Sequence, residues 1–453
     1  MTNAKNGKFS EIPFAQSASD MDFGVNELFY SNHNIKRGLR NSDGTGVVAG
    51  LTHICNVHGY IIDEYERVPT EGKLYIRGYD IEDIIAGSEK EDRFGFEEVV
   101  YLLLFGNLPT AKELSQFRSL MEEARELPNG FIEDMIMKAA SPNVMNMLER
   151  NVLALYSYDN KADDYSLDNT YRQCISVTAK LPLCMSAAYQ VKRRVYDNQS
   201  FFIHYPLSGL STAENILSMM LPDRTFTHEE AILLDRCMML HAEHGGGNNS
   251  TFAVRCLTSA GTDTYSALGA GIGSLKGFRH GGANIKVVQQ TKEMKAAIKD
   301  VNDDNEIEEY LKKVMAKEAG DGTGLIYGMG HAVYTLSDPR AKILKKEAAK
   351  LVEKKGYTED FKLLDAIERI APKLLATRSV TSGAFSANVD LYSGLVYQML
   401  GIPEELYTPL FAVSRMAGWC AHRIEEMQTC RRIMRPAYRT MEKIHEYKPL
   451  TER

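Results

Sequence analysis

Three histidines stand beside glycines in the stretch from Leu240 to Arg340. The first group reads His241-Ala242-Glu243-His244-Gly245-Gly246-Gly247-Asn248-Asn249-Ser250, the second Gly277-Phe278-Arg279-His280-Gly281-Gly282-Ala283-Asn284 and the third Gly328-Met329-Gly330-His331-Ala332-Val333-Tyr334. Four of the chain's eleven histidines fall here. A glycine next to a polar side chain lets the backbone turn sharply and lets a ligand come close. Three such points, far apart in sequence, are most simply explained by one site assembled from three segments.

Each group has a chemical and a bland reading. His241 and His244 lie one helical turn apart, so both can face one ligand or both can be structural. A zinc site would want His-Glu-x-x-His or a third close ligand; neither is present, and no metal is expected. His280 precedes a helix N-terminus, whose dipole should keep the imidazole neutral and able to donate to a carbonyl that is becoming an enol. It could equally be a capping residue. His331 follows Gly324-Leu325-Ile326-Tyr327-Gly328-Met329-Gly330, which lacks the Gly-Lys-Ser/Thr of a phosphate loop and has no preceding strand. A backbone loop receiving part of a large flat ligand fits better. Asp390, between apolar neighbours at a helix start, is either an N-cap or a desolvated base with a raised pKa. Among Arg340, Arg415 and Arg435, each of which could be structural, Arg415 is the most informative. Its helix is otherwise apolar there, a buried arginine needs an anion, and no acid follows within a turn until Glu425.

The elements that must position these groups are mostly helices. Residues 1–43 read as a polar arm with a short helix around Asn26–Tyr30. Segments 47–57 and 73–77 are β-rich and bounded by Gly, Pro and Asn, so they predict short strands. Capping boxes at Thr110/Glu113, Ser211/Glu214 and Thr227/Glu230 open helices. The helix from Thr227 is apolar nearly all round, the pattern of an element buried on every side, and it delivers His241 and His244. Apolar periodicity predicts further helices over 143–158, 171–195, 265–276, 284–301, 306–318, 339–355, 358–375, 388–400, 404–408 and 410–427. The small residues from Ala267 to Ser274 suit a close helix pair, within the subunit or across two. A shift to charged helices places boundaries near 280 and 400.

Composition narrows the class. The 453 residues are 44% hydrophobic and 25% charged with net charge −7, a globular mix without the basic stripe of a nucleic-acid binder. The seven cysteines contain no Cys-x-x-Cys pair, as in a reducing compartment. There is no run of about eighteen apolar residues to span a membrane, and the N-terminus has no apolar signal core and makes a poor mitochondrial presequence. A cytoplasmic protein is expected.

Taken in order, the segments Lys73-Leu74-Tyr75-Ile76-Arg77-Gly78-Tyr79-Asp80-Ile81, the three histidine groups, Asp338-Pro339-Arg340, Asn388-Val389-Asp390-Leu391-Tyr392-Ser393-Gly394 and Val413-Ser414-Arg415 resemble citrate synthase from about Gly44 to Pro436. The resemblance implies a mainly α two-domain homodimer, with a large domain over 44–280 and 401–453 and a small CoA-binding domain over 281–400 that closes on the substrates. It implies that His280 and Asp390 enolise acetyl-CoA and that His331 polarises the oxaloacetate ketone. His244, Arg340 and Arg415 would hold oxaloacetate, with Arg435 reaching across from the other subunit. Leu325, Ile326, Gly328, Met329 and Gly330 would receive CoA. No metal or redox cofactor is implied. Two readings stay beside acetyl-CoA condensation: the same machinery acting on propionyl-CoA to give 2-methylcitrate, and a non-catalytic CoA- or dicarboxylate-binding relative. Phe278 stands where the family often has proline, and Gly245 where it often has glutamate. Residues 1–43 are too short and strand-poor for the NADH-binding domain of some relatives, so no such regulation is expected.

Overall fold

The computed structural model describes residue 30 and residues 33–41, 44–63, 66–377, 385–429 and 432–452. The described residues up to Gly50 form one compact unit and those from Leu51 onward a second. In the first, a 3-10 turn spans Arg37–Leu39, Arg40 bridges Gly46, and the Arg37 guanidinium lies 5.4 Å from the Tyr30 ring centre. The helix expected around Asn26–Tyr30 lies, apart from Tyr30, outside the described residues.

The second unit opens with a three-stranded antiparallel sheet in the order β1 (Cys55–Asp63), β2 (Glu66–Ile76), β3 (Tyr79–Asp80). The first strand starts later than its β-rich sequence predicts. Val48 and Leu51 are largely exposed, and pairing begins only where Cys55 meets Ile76 and Val57 meets Leu74. A strand needs a partner, and β2 supplies none before Cys55. Arg77 leaves the second strand as well: its φ of 51° and the 89° of Gly78 turn the chain into β3.

The helices follow the sequence pattern closely. In chain order they are α1 (Ile81–Lys90), α2 (Phe96–Phe105), α3 (Ala111–Glu123), α4 (Val144–Leu155), α5 (Leu167–Tyr196), α6 (Thr212–Met220), α7 (His228–His241), α8 (Asn249–Ser259), α9 (Thr264–Leu275), α10 (Ala283–Ala297), α11 (Asp304–Met315), α12 (Pro339–Ala349), α13 (Val352–Lys355), α14 (Thr358–Ala376), α15 (Asp390–Met399) and α16 (Tyr407–Thr429). All three capping boxes form, with Thr110, Ser211 and Thr227 as N-caps and each glutamate three residues on returning the bond. The segment 404–408 is a 3-10 turn, Glu404–Leu406, that runs straight into α16. The expected helix 339–355 breaks after Ala349 and resumes as α13, which ends at Gly356 with φ 77°.

Two helices run through the centre. Helix α7 is buried from Leu233 to His241, and α16 from Leu410 to Glu426 apart from Phe411, which is partly covered. They pack on each other. The small-residue helix α9 packs on α4, α8 and α16, with Gly271 directly against Val254 and the Trp419 ring. Between residues 283 and 399, α10 packs on α15, α11 on α14 and α12 on α15. Helix α12 also touches α7 and β2, so the sheet, the central helix and this second group meet around Arg340. Among the described residues no helix is long and apolar enough to cross a membrane.

Candidate active site

The site begins where α7 ends. Its last residue, His241, is fully buried, stacks on Phe411 at 4.4 Å and gives its backbone oxygen to Arg415 Nε at 2.6 Å. Its role is support. Gly245, with φ 89°, then turns the chain, and His244 sits just before it. Its Nε2 lies 3.2 Å from the Tyr334 hydroxyl, and its ring meets that of His331 edge-on at 4.9 Å and 88°. His331 Nδ1 accepts two backbone N–H groups, from Val333 and Tyr334, both at 3.1 Å. A nitrogen receiving two donors cannot carry a proton, so neutral His331 holds its proton on Nε2. Burial, then the Arg340 charge, pushes His331 down to about 4, and the same two causes hold His244 well below the usual histidine range. Both rings are neutral at ordinary pH.

Two arginines supply positive charge. Asp338 caps α12 and receives Arg340 Nε at 3.0 Å and Nη2 at 2.7 Å in a two-point pair. Arg415, on α16, has no exposed surface; its Nη1 is buried without a hydrogen-bond partner among the described residues. Burial and the neighbouring Arg340 outweigh the Glu243 charge and lower Arg415 to about 10. Leaving a charged donor unpaired in the interior costs about 1–3 kcal/mol or more, so the site is built for an anion to complete it. Glu425, the nearest acid on the Arg415 helix, is engaged elsewhere, with Arg255 and the His53 N–H.

Asp390 and His280 complete the set. Asp390 is the first residue of α15 and not its cap; the N-cap position is Val389, and the Asp390 N–H bonds to Asn388 Oδ1 at 3.0 Å. Burial lifts its carboxyl to about 6, against the downward pull of Arg340 and Arg415. His280 is lowered to about 4, first by burial and then by Arg415. The expected neutrality is there, but the helix-dipole reason is not the leading one: α10 starts only at Ala283, with Gly282 as N-cap. His280 Nε2 lies 3.0 Å from Ser250 Oγ, which also lies 2.8 Å from Asn248 Oδ1 and receives the Trp419 indole N–H at 3.2 Å.

The glycine loop before His331 is tied to the segment before Asp390. The Gly330 N–H donates to Ser386 O at 2.7 Å, the Asn388 N–H to Gly328 O at 2.9 Å, and Asn388 Nδ2 to Gly330 O at 2.9 Å. Gly328 (φ 79°) has no room for a side chain, since a Cβ would stand 2.8 Å from Leu391 Cδ1 and 3.0 Å from Leu391 Cα. Ile326 is buried beneath the loop, Met329 bridges Ala387, and Leu325 projects outward. These ties hold the 328–330 backbone against the segment that leads into Asp390.

One expected residue lies apart. Arg435 is exposed in the non-helical stretch after α16, and no hydrogen bond or ion pair joins it to these groups among the described residues. Four supporting residues stand outside the groups expected from sequence: Asp338, Ser250, Tyr334 and Glu243. Asp338 and Ser250 could have been suspected from Asp-Pro-Arg and from the end of the first histidine group. Tyr334 and Glu243 give no signal outside the fold. Glu243 Oε1, fully buried, accepts the Gly245 N–H at 2.6 Å and His422 Nε2–H at 2.9 Å, while Arg255 donates to His422 Nδ1 from Nε at 3.0 Å and Nη2 at 2.7 Å. Among the described residues no cluster of three or more His, Cys, Asp or Glu side chains could hold a metal ion.

The family described as citrate synthase, C-terminal domain, matches residues 41–437. Citrate synthase of Haloferax volcanii is 35% identical over 393 residues, covering 84% of this chain and 93% of the relative. A citrate/2-methylcitrate synthase of Bacillus subtilis is 32% identical over 393 residues, covering 86% and 93%. Among solved structures, the ternary complex of Thermoplasma acidophilum citrate synthase with carboxymethyl coenzyme A and oxaloacetate aligns with TM-score 0.76 at 26% identity, covering 92% of this chain and 99% of that one.

Proposed function

The chain belongs to the citrate synthase family, and we propose that Asp390, His280 and His331 carry out its reaction, the condensation of acetyl-CoA with oxaloacetate to give citrate and CoA. The observation that carries this assignment is that burial, which favours the neutral form of each group, shifts the two in opposite directions. Near Arg415, Asp390 is raised to about 6 and His280 lowered to about 4. One is a base and the other a neutral donor at the same pH, the division that acid–base catalysis needs.

Asp390 takes a proton from the acetyl methyl group while His280 gives a hydrogen bond to the thioester oxygen, so no free enolate forms. That donation requires the His280 proton on Nδ1, which follows when the Ser250 hydroxyl gives its proton to Nε2 instead of Asn248. The methyl carbon then bonds to the oxaloacetate ketone carbon. His331 Nε2–H meets the oxygen that becomes charged. Water finally cleaves the citryl thioester to citrate and the CoA thiol. Arg340 and Arg415 hold the oxaloacetate carboxylates, with His244 beside them and Arg435 supplied by the second subunit of a homodimer. Loop residues 325–330 receive CoA on their backbone atoms. Residues 281–400 act as a small domain that closes over the substrates and excludes water until the carbon–carbon bond is made. The described cysteines are all free thiols, in keeping with a cytoplasmic enzyme at the entry to the tricarboxylic acid cycle.

The test is release of free thiol from acetyl-CoA or propionyl-CoA when oxaloacetate is added. We expect release with a larger kcat/KM for acetyl-CoA. No thiol from either substrate would end the enzyme reading. A larger value for propionyl-CoA would make the protein a 2-methylcitrate synthase, a reversal that one methylene, worth about 1–3 kcal/mol in a pocket, could produce.

A further inference from the structure

Tyr334 touches three of the groups assigned above. Its hydroxyl lies 3.2 Å from His244 Nε2, its ring is 4.7 Å from that of His331 at 31°, and the Arg340 guanidinium sits 5.7 Å from its centre. It is 1% exposed. The β1–β2 hairpin presses on it at two glycines. A Cβ at Gly59 would lie 2.8 Å from Tyr334 Cα, and one at Gly72 would lie 2.8 Å from Tyr334 Cδ1. Sheet and tyrosine are thus fitted together, and the ring has little freedom to turn.

The hydroxyl decides where His244 keeps its proton. Away from water a phenol proton needs an acceptor, and among the described residues His244 Nε2 is the hydrogen-bond partner in reach. If Nε2 itself carried a proton and donated to the phenol oxygen, the phenol proton would be left buried without an acceptor. That arrangement costs a hydrogen bond. Nε2 therefore accepts, and neutral His244 carries its proton on Nδ1. The backbone of the same residue acts in the opposite sense on His331, since the Tyr334 N–H ends on His331 Nδ1 at 3.1 Å and leaves the proton on Nε2.

We propose that Tyr334 is the positioning residue of the oxaloacetate pocket, fixing His244 as the Nδ1–H tautomer through its hydroxyl and His331 as the Nε2–H tautomer through its backbone N–H. The inference rests on His244 and His331 facing oxaloacetate as described under Proposed function. Each histidine then presents one N–H donor in a set orientation, and binding need not select a tautomer.

Two measurements test it. Neutron diffraction of the deuterated wild-type protein should show deuterium on His244 Nδ1 and His331 Nε2. Tyr334→Phe should raise the oxaloacetate Kd and KM by about tenfold, as expected for one lost hydrogen bond and an unpaired buried acceptor. Its kcat should stay within about threefold of wild type and its KM for acetyl-CoA should not change. Deuterium on His244 Nε2 in the wild type would overturn the proposal, and so would a Tyr334→Phe variant with unchanged oxaloacetate Kd or with its loss confined to kcat. The wild-type neutron map decides the matter even where the variant fails to fold. Failure of the parent reading looks different: wild-type protein would release no thiol from either acyl-CoA, while proton positions and oxaloacetate affinity remained measurable.

Discussion

Asp390 faces two demands that oppose each other. As the proposed base it must be ionised, yet its surroundings favour the neutral form and lift it to about 6. His280 and His331, at about 4, are already neutral there. The acid limb of kcat/KM should therefore belong to Asp390, with the rate falling tenfold per pH unit below about 6. A profile flat down to pH 5 would remove Asp390 from the role of base. Asp390→Asn should lower kcat by about 10²–10⁴, the usual worth of a general base, with oxaloacetate still bound; a near-normal rate would refute the assignment. The same substitution should stabilise the fold. A carboxyl whose folded pKa lies above its unfolded one favours folding below the unfolded value, near 3.8, and that contribution is lost as pH rises through about 6. At pH 7.5 the wild type has lost it, so the amide should raise stability by about 1–2 kcal/mol, a gain limited by the solvent contact Asp390 retains. Below about pH 4 the difference should vanish, as unfolding curves at the two pH values would show. At this scale, residue type and neighbours were informative for the groups proposed to touch substrate: glycines flank the histidines, and Arg415 interrupts an apolar helix. Tyr334, Ser250 and Asp338 act through other side chains, and for Tyr334 the partner is 90 residues away. Only the fold brings Tyr334 to His244.

Helices were legible because their start signals are local. Thr110, Ser211 and Thr227 each sit three residues before a glutamate that closes the box. The strand that begins at Cys55 was not, because its limits are set by a partner in β2 and not by the β propensity of Val47 and Val48. The loop 325–330 is intermediate. Its glycines marked a close approach, but its attachment to residues 386–388 is tertiary. That attachment makes Gly328 a sensitive position. A methyl group there meets the side chain and Cα of Leu391, next to Asp390, in a backbone conformation with φ 79°. Gly328→Ala should raise the KM for acetyl-CoA and lower kcat, while costing about 1–3 kcal/mol of stability. Steady-state kinetics together with denaturant unfolding would check both. Unchanged acetyl-CoA kinetics would show that the loop does not carry the thioester to Asp390.

For the molecule as a whole, the question is whether one chain makes a complete site. The histidines, Asp390, Arg340 and Arg415 all come from one chain, whereas Arg435 lies in a stretch whose Tyr438, Ile444 and Tyr447 side chains are largely exposed. An apolar surface of this kind suits a partner, and a symmetric dimer would let each chain give its tail to the other and receive one back. The consequence can be counted. In a homodimer of Arg435→Ala chains every site lacks the donated arginine, and in a homodimer of His280→Ala chains every site lacks the enolising histidine. In the mixed dimer, the site built on the Arg435→Ala chain has its own His280 and receives Arg435 of the partner subunit. One site of the two is whole. Random exchange of equal amounts puts half the dimers in this form, so activity should recover to about a quarter of wild type. If the arginine served its own chain, neither site of the mixed dimer would be complete and the mixture would stay as inactive as its parents.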